Sequence, residues 1–209
     1  MRTSDRIETE LMDDIASGTL SPGERIDESA LLERFKCSRT PIREAVAGLV
    51  AKGVLEFQNR QGVYVRSYSR EDLGEMLEAI QELETICARL VAQRLTLLAR
   101  SELETAQQRC IQSAQAGDFA GYLKANEAFH QAIYKATHNH FISEIASDFR
   151  RRTGPFRAKK FVTAQDLIDS AASHDRLLES IFSEDTKTAS EEMRTHMTRS
   201  YMDALAANF

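Results

Sequence analysis

The chain has 209 residues, enough for one or two domains with a sizeable core. Hydrophobic residues make up 42% and charged residues 28%, ordinary proportions for a globular chain, and no apolar run approaches the roughly 18–20 residues of a membrane span. The net charge of −5 argues by itself against a nucleic-acid binder, but its distribution argues the other way: residues 1–33 sum to −6, residues 34–70 to +6 and the remainder to −5.

An opening helix is predicted over Thr3 to Ser17, with Ile7, Leu11, Met12 and Ile15 forming one apolar stripe. Ser17 to Gly23 breaks it, and Arg25-Ile26-Asp27 leads into a second helix, Glu28 to Phe35, capped by Asp27. A short Lys36-Cys37 turn precedes Ser38, a good N-cap, and a third helix from Thr40 to Lys52 with Pro41 in its first turn. Arg39 and Arg43 are four residues apart and share a face at the N-terminal end of that helix, the part a recognition helix pushes into the major groove. Gly53 can end the helix in a left-handed conformation. Val54 to Phe57 and Val63 to Arg66 then alternate around Asn59-Arg60-Gln61-Gly62 and read as a hairpin. Two arginines on an isolated helix read as a solvated face; a helix, a tight turn and a hairpin around them make a winged helix-turn-helix.

Ser67 to Asp72 is the candidate boundary, with Ser69 placed to cap the next helix. Beyond it there is no strand signal, and six helices fit the apolar periodicity, at about 70–98, 101–115, 118–138, 140–160, 164–182 and 186–207. The fold class is therefore mainly α: a winged helix-turn-helix over 1–67 followed by an all-α bundle over 68–209. Three scattered cysteines, Cys37, Cys87 and Cys110, read as reduced thiols, and the N-terminus lacks the apolar core of a signal peptide, which places the chain in the cytoplasm.

All five histidines follow residue 129. His130 lies one turn after Asn126 on the third bundle helix, His174 on the fifth and His196 on the last, each among apolar neighbours at helical spacing. Three imidazoles from three helices, with an oxygen donor one turn before the first, suit a divalent metal. The competing reading is three separate hydrogen-bonded core histidines. His138 and His140 flank Asn139 in a loop and read as surface residues.

Taken together these residues resemble the GntR family of bacterial transcription regulators, in the FadR-like group with an FCD-type effector domain. The resemblance rests on Leu20-Ser21-Pro22-Gly23-Glu24-Arg25, Cys37 to Ala45, Leu49 to Leu55 and Arg60 to Val65 in the head. In the bundle it rests on Glu82-Leu83-Glu84, Asn126 to His130, Ser173 to Leu178 and Met193 to Met197. Six bundle helices look like the VanR-type subgroup. The resemblance implies a cytoplasmic homodimer, a repressor more often than an activator, that binds an inverted-repeat operator in double-stranded DNA. It implies DNA contacts from Ser38, Arg39, Thr40, Arg43, Arg60 and Gly62, with Ser29 standing where the family is often basic. It implies metal ligation by His130, His174 and His196, with Asn126 where Asp is usual, and Zn, Ni or Mn as the ion. An organic-acid effector would contact Gln81, at a position where the family often carries Arg, and Arg89. The rival readings are a metal-dependent enzyme using the three histidines, and a metal or histidine cluster that merely ties the bundle together.

Overall fold

The computed structural model describes residues 2–16, 18–58 and 61–209, apart from the side chain of Ala16. The chain divides into two compact units, Met1–Ser69 and Arg70–Phe209.

In the first unit α1 (Thr3–Ala16), α2 (Glu28–Phe35) and α3 (Arg39–Ala51) precede a hairpin of β1 (Leu55–Gln58) and β2 (Gly62–Val65). Ile7, Leu11 and Ile15 of α1 meet Leu31 and Phe35 of α2, Ile42, Val46 and Leu49 of α3, and Leu55, Val63 and Val65 of the hairpin in one apolar core. Asp27 caps α2, its carboxylate accepting from Ser29 N. Lys36 makes the turn in the left-handed region (φ 47°), its amide bonded to Leu32 O. Ser38 holds the extended N-cap conformation of α3, but its hydroxyl makes no capping bond, and the helix starts at Arg39, one residue earlier than expected.

The wing has a third edge that residue spacing did not announce. Ile26 N donates to Val63 O at 2.8 Å and Val65 N to Glu24 O at 2.8 Å, with Arg25 bridged to Tyr64. The segment before α2 therefore pairs with β2 and satisfies its outer backbone groups.

The second unit holds α4 (Arg70–Arg94), α5 (Leu97–Gln115), α6 (Phe119–Ala136), α7 (His140–Ala158), α8 (Ala164–Phe182) and α9 (Thr186–Asn208). The α4 helix lies against α9 and α7, and α5 between α6 and α8, around a core that includes Ile80, Val91, Leu103, Phe129 and Leu177. The expected break between the first two helices was placed too late. Thr96 caps α5 by accepting from Ala99 N, so Leu97 and Leu98 fall in a first turn and stay exposed. The apolar run Leu95 to Leu98 had masked the cap in the sequence. Thr163 and Asp166 form a capping box at α8. Pro155 lies inside α7 without ending it. Among the described residues all three cysteines are free, Cys87 and Cys110 buried and Cys37 half-buried. Among the described residues no helix is long and apolar enough to cross a membrane.

Candidate nucleic-acid interface and metal centre

In the head, Ser38, Arg39, Thr40 and Arg43 are all exposed at the front of α3. Arg43 Nε lies 3.7 Å from Glu28 Oε2, an exposed pair too weak to commit the guanidinium. Arg39 has no ion-pair or hydrogen-bond partner among the described residues. Gly62 opens β2 at φ 114°, a conformation that favours glycine. A Cβ there would sit 3.3 Å from Arg25 Nε. Arg25 is exposed beside Gly62 and is a cation that the sequence reading did not single out; treating residues 24–26 as a third strand would have placed it there. Arg60 lies outside the described residues.

In the bundle, α6, α8 and α9 bring His130, His174 and His196 together, with one ring nitrogen of each within 4.8 Å of the others. Ring centroids are 5.5, 5.5 and 5.1 Å apart. His130 and His174 are buried, and His196 is half-buried at the cluster's edge. Asn126 is buried one turn before His130 on the same face of α6.

The hydrogen bonds fix which nitrogen faces the cluster. His130 Nδ1 donates to Glu84 Oε2 at 2.5 Å. His174 Nδ1 meets Gln107 Oε1 at 3.1 Å, while Gln107 Nε2 donates to Ala171 O and Asp175 Oδ1, both at 2.8 Å. The amide is thereby oriented with its oxygen toward the ring, so His174 Nδ1 carries the proton. His196 Nδ1 lies 2.9 Å from Ser173 Oγ, whose own proton goes to Ser170 O, so the imidazole is again the donor. In each ring the proton sits on Nδ1 and the Nε2 lone pair is left for the cluster. His174 Nε2 is buried with no hydrogen-bond partner. A buried, orphaned lone pair is what a cation would satisfy, and Nδ1 held by a carboxylate, an amide oxygen or a hydroxyl is the outer support that metal-binding imidazoles require. Burial is the main cause that holds His130 and His174 well below the usual imidazole value and lowers His196 to about 3, with Arg150 next for His130, the neighbouring imidazoles for His174 and Lys160 for His196, so all three are neutral near pH 7, the form in which an imidazole can ligate a metal.

Glu84 is fully buried and also accepts from Tyr134 Oη at 2.5 Å and Arg150 Nη1 at 2.8 Å. Arg150 reaches on to Glu127 at 2.9 Å. The sequence reading singled out neither Arg150 nor Gln107, because neither lies at helical spacing from a histidine; only the packing of α5 and α7 brings them in. Glu84, the natural candidate for a general base in an enzyme, is consumed by three partners.

A cavity of about 540 Å³ opens between α8, α9 and the end of α7, with His196, Ser173, Lys160 and Ser200 on its wall. Gln81 and Arg89 are not among its lining residues. Gln81 is half-buried on α4, and Arg89 is exposed. Arg89 follows Glu84 by five residues, which turns it away from the face that carries Glu84. Sequence reading missed Lys160, whose Nζ donates to Ser200 Oγ at 2.9 Å and whose pKa is lowered by burial to about 7. His138 and His140 are exposed, away from the cluster.

Comparison with known proteins agrees with both halves. Residues 3–65 match the model of the bacterial regulatory proteins of the gntR family, and residues 75–199 match the FCD domain. The chain is 26% identical over 197 residues to the HTH-type transcriptional repressor GlaR of Escherichia coli, covering 90% of this chain and 89% of that protein. It is 28% identical over 150 residues to the E. coli HTH-type transcriptional regulator McbR, covering 72% of this chain and 68% of that one. The solved structure of E. coli McbR/YncC superposes with a TM-score of 0.84 at 23% identity, covering 95% of both chains.

Proposed function

Because the chain belongs to the gntR family of bacterial regulatory proteins and carries an FCD domain, and so is a DNA-binding transcription regulator, we propose a division of labour between residues 1–67 and 68–209. The head reads an operator through Ser38, Arg39, Thr40 and Arg43 at the front of α3, with Arg60 and Gly62 of the wing. Two guanidiniums one turn apart fork onto guanine edges or clamp phosphates. The bundle holds a divalent cation, Zn, Ni or Mn, on His130, His174 and His196, with the Asn126 amide oxygen as a further donor. Such a set leaves one or two positions of the ion for a ligand oxygen. Neutral imidazole and amide donors suit several first-row ions, so geometry and availability choose among them.

Regulation follows from differential affinity. A small effector that enters the cavity beside His196 and prefers one arrangement of the protein over another must shift operator affinity by the same factor. Exposed apolar side chains on the packed helices α4 and α7, including Ile86, Phe141 and Ile145, support a homodimer that would read an inverted repeat. That the similar protein GlaR is a transcriptional repressor supports repression.

The observation that carries the metal half is the orphaned His174 Nε2 beside two imidazoles whose Nδ1 protons are already placed. Fluorescence anisotropy with the DNA upstream of the chain's own coding region, run beside elemental analysis of the purified protein, tests both halves. Salt-dependent operator binding and about one ion per chain, lost in His174→Ala, are expected. A chain that retards no upstream fragment sinks the head assignment; one that takes up no ion at equimolar zinc, nickel or manganese sinks the metal centre.

A further inference from the structure

The segment before α2 carries an uncommitted cation. Arg25 bridges to Tyr64, and Tyr64 stands opposite Glu56, so the three side chains form a row on one face of the wing. Val63 and Val65 turn into the core, which leaves that row and Gly62 on the outer face. Ladder bonds on both sides of Arg25 hold its backbone extended, Ile26 N to Val63 O and Val65 N to Glu24 O, both at 2.8 Å.

The guanidinium lies along Gly62. A Cβ built on that glycine would stand 3.3 Å from Arg25 Nε, 3.6 Å from Nη2 and 3.9 Å from Cζ. Arg25 therefore occupies the space of the missing side chain, at the root of the wing turn. It is exposed there and has no hydrogen-bond or ion-pair partner among the described residues. The acids around it are each engaged elsewhere. Glu56 pairs with Arg66 at 3.5 Å, and Glu24 accepts from Ser21 N at 2.9 Å. Asp27 accepts from Ser29 N at 2.8 Å, and Glu28 lies 3.7 Å from Arg43.

We propose that Arg25 is a phosphate-binding residue of the DNA interface, its guanidinium seated on the duplex backbone beside the wing. This rests on the head reading above and adds to it a residue outside both α3 and the hairpin. A wing that enters a groove at Gly62 has phosphate walls on either side. A group lying against Gly62 then meets a wall rather than a base edge. The planar fork of arginine suits two phosphate oxygens at once. The paired backbone leaves only the side chain to be ordered on binding, which keeps the entropic cost low.

The test is fluorescence anisotropy of the full chain across a salt series, on the DNA upstream of its own coding region and on a scrambled duplex of equal length. Each phosphate contact contributes about 0.9 to the slope of log affinity against log salt. Arg25→Gln is expected to lower the slope by about that much for each head engaged, on both duplexes alike, with an unchanged melting temperature. Between about 50 and 200 mM salt the parent's advantage then shrinks about threefold to fourfold per head. Arg25→Lys keeps the charge and is expected to keep the slope. A parental slope in Arg25→Gln, whether or not affinity and melting temperature fall with it, overturns the inference and leaves the head assignment standing. A loss confined to the upstream duplex marks a base contact and overturns it too. A parent chain that binds neither duplex overturns both.

Discussion

Replacing Gln107 with methionine removes the one contact that sets the His174 proton while nearly preserving volume. Gln107 is buried on α5 and makes three hydrogen bonds: from His174 Nδ1 at 3.1 Å, and to Ala171 O and Asp175 Oδ1 at 2.8 Å. The Asp175 bond is to an exposed carboxylate that water can serve, and Ala171 O is a helix carbonyl with a second acceptor position. The His174 Nδ1–H is the serious loss, because a buried donor left unpaired costs about 1–3 kcal/mol. The ring recovers part of this by moving its proton or rotating, and either change takes the Nε2 lone pair off the cluster. Zinc affinity should therefore fall by about tenfold to a hundredfold, matching about 1.4–2.7 kcal/mol. Competition against a chromophoric chelator measures this directly, with circular dichroism to confirm the fold and operator anisotropy as an internal control. Affinity within about twofold of the parent, in a folded variant, would refute the claim that this amide orients a ligand.

Other outcomes follow from the same geometry. Metal-free protein should lose stability as pH falls from about 6.5 toward about 3. The unfolded imidazoles take protons near 6.5 while the folded ones, lowered chiefly by burial with His196 near 3, do not, so acid favours the unfolded chain at up to about 1.4 kcal/mol per pH unit per histidine. Urea melts at several pH values check this, and a flat profile for the bundle would contradict it. Arg43→Ala should weaken specific operator binding by about 1–3 kcal/mol without changing the melting temperature; unchanged affinity would remove α3 from the interface. Gly62→Ala must place a side chain at φ 114° and 3.3 Å from Arg25 Nε, so the wing should shift or loosen at a cost of about 1–2 kcal/mol, read as a lower head stability and weaker DNA binding.

The head was readable because its signals are local. Asp27 before an apolar period gave α2 its observed limits, and the hairpin announced itself by alternation around a glycine. The break between α4 and α5 was misplaced because Thr96 sits inside the apolar run Leu95 to Leu98, where periodicity outvoted a cap. Spacing placed the three histidines on inward helical faces, but that they meet at one site was implied only by the family resemblance. Their supports could not be found that way: Gln107 and Ser173 are ordinary polar residues until α5, α8 and α9 pack, and Arg150 becomes meaningful only where α7 crosses Glu84. The cavity cation shows the same limit. Gln81 and Arg89 came from a family pattern on α4, whereas the exposed turn of α4 carries Arg89 outward and the end of α7 brings Lys160 to the wall.

The thiols offer a practical handle. Burial pushes the Cys87 and Cys110 sulfurs up to about 12, so neither forms appreciable thiolate in the folded bundle at neutral pH. A maleimide dye should consequently attach at Cys37 alone, two residues before Arg39 at the corner between α2 and α3. A fluorophore there would report operator docking through its own quenching, without an engineered label site.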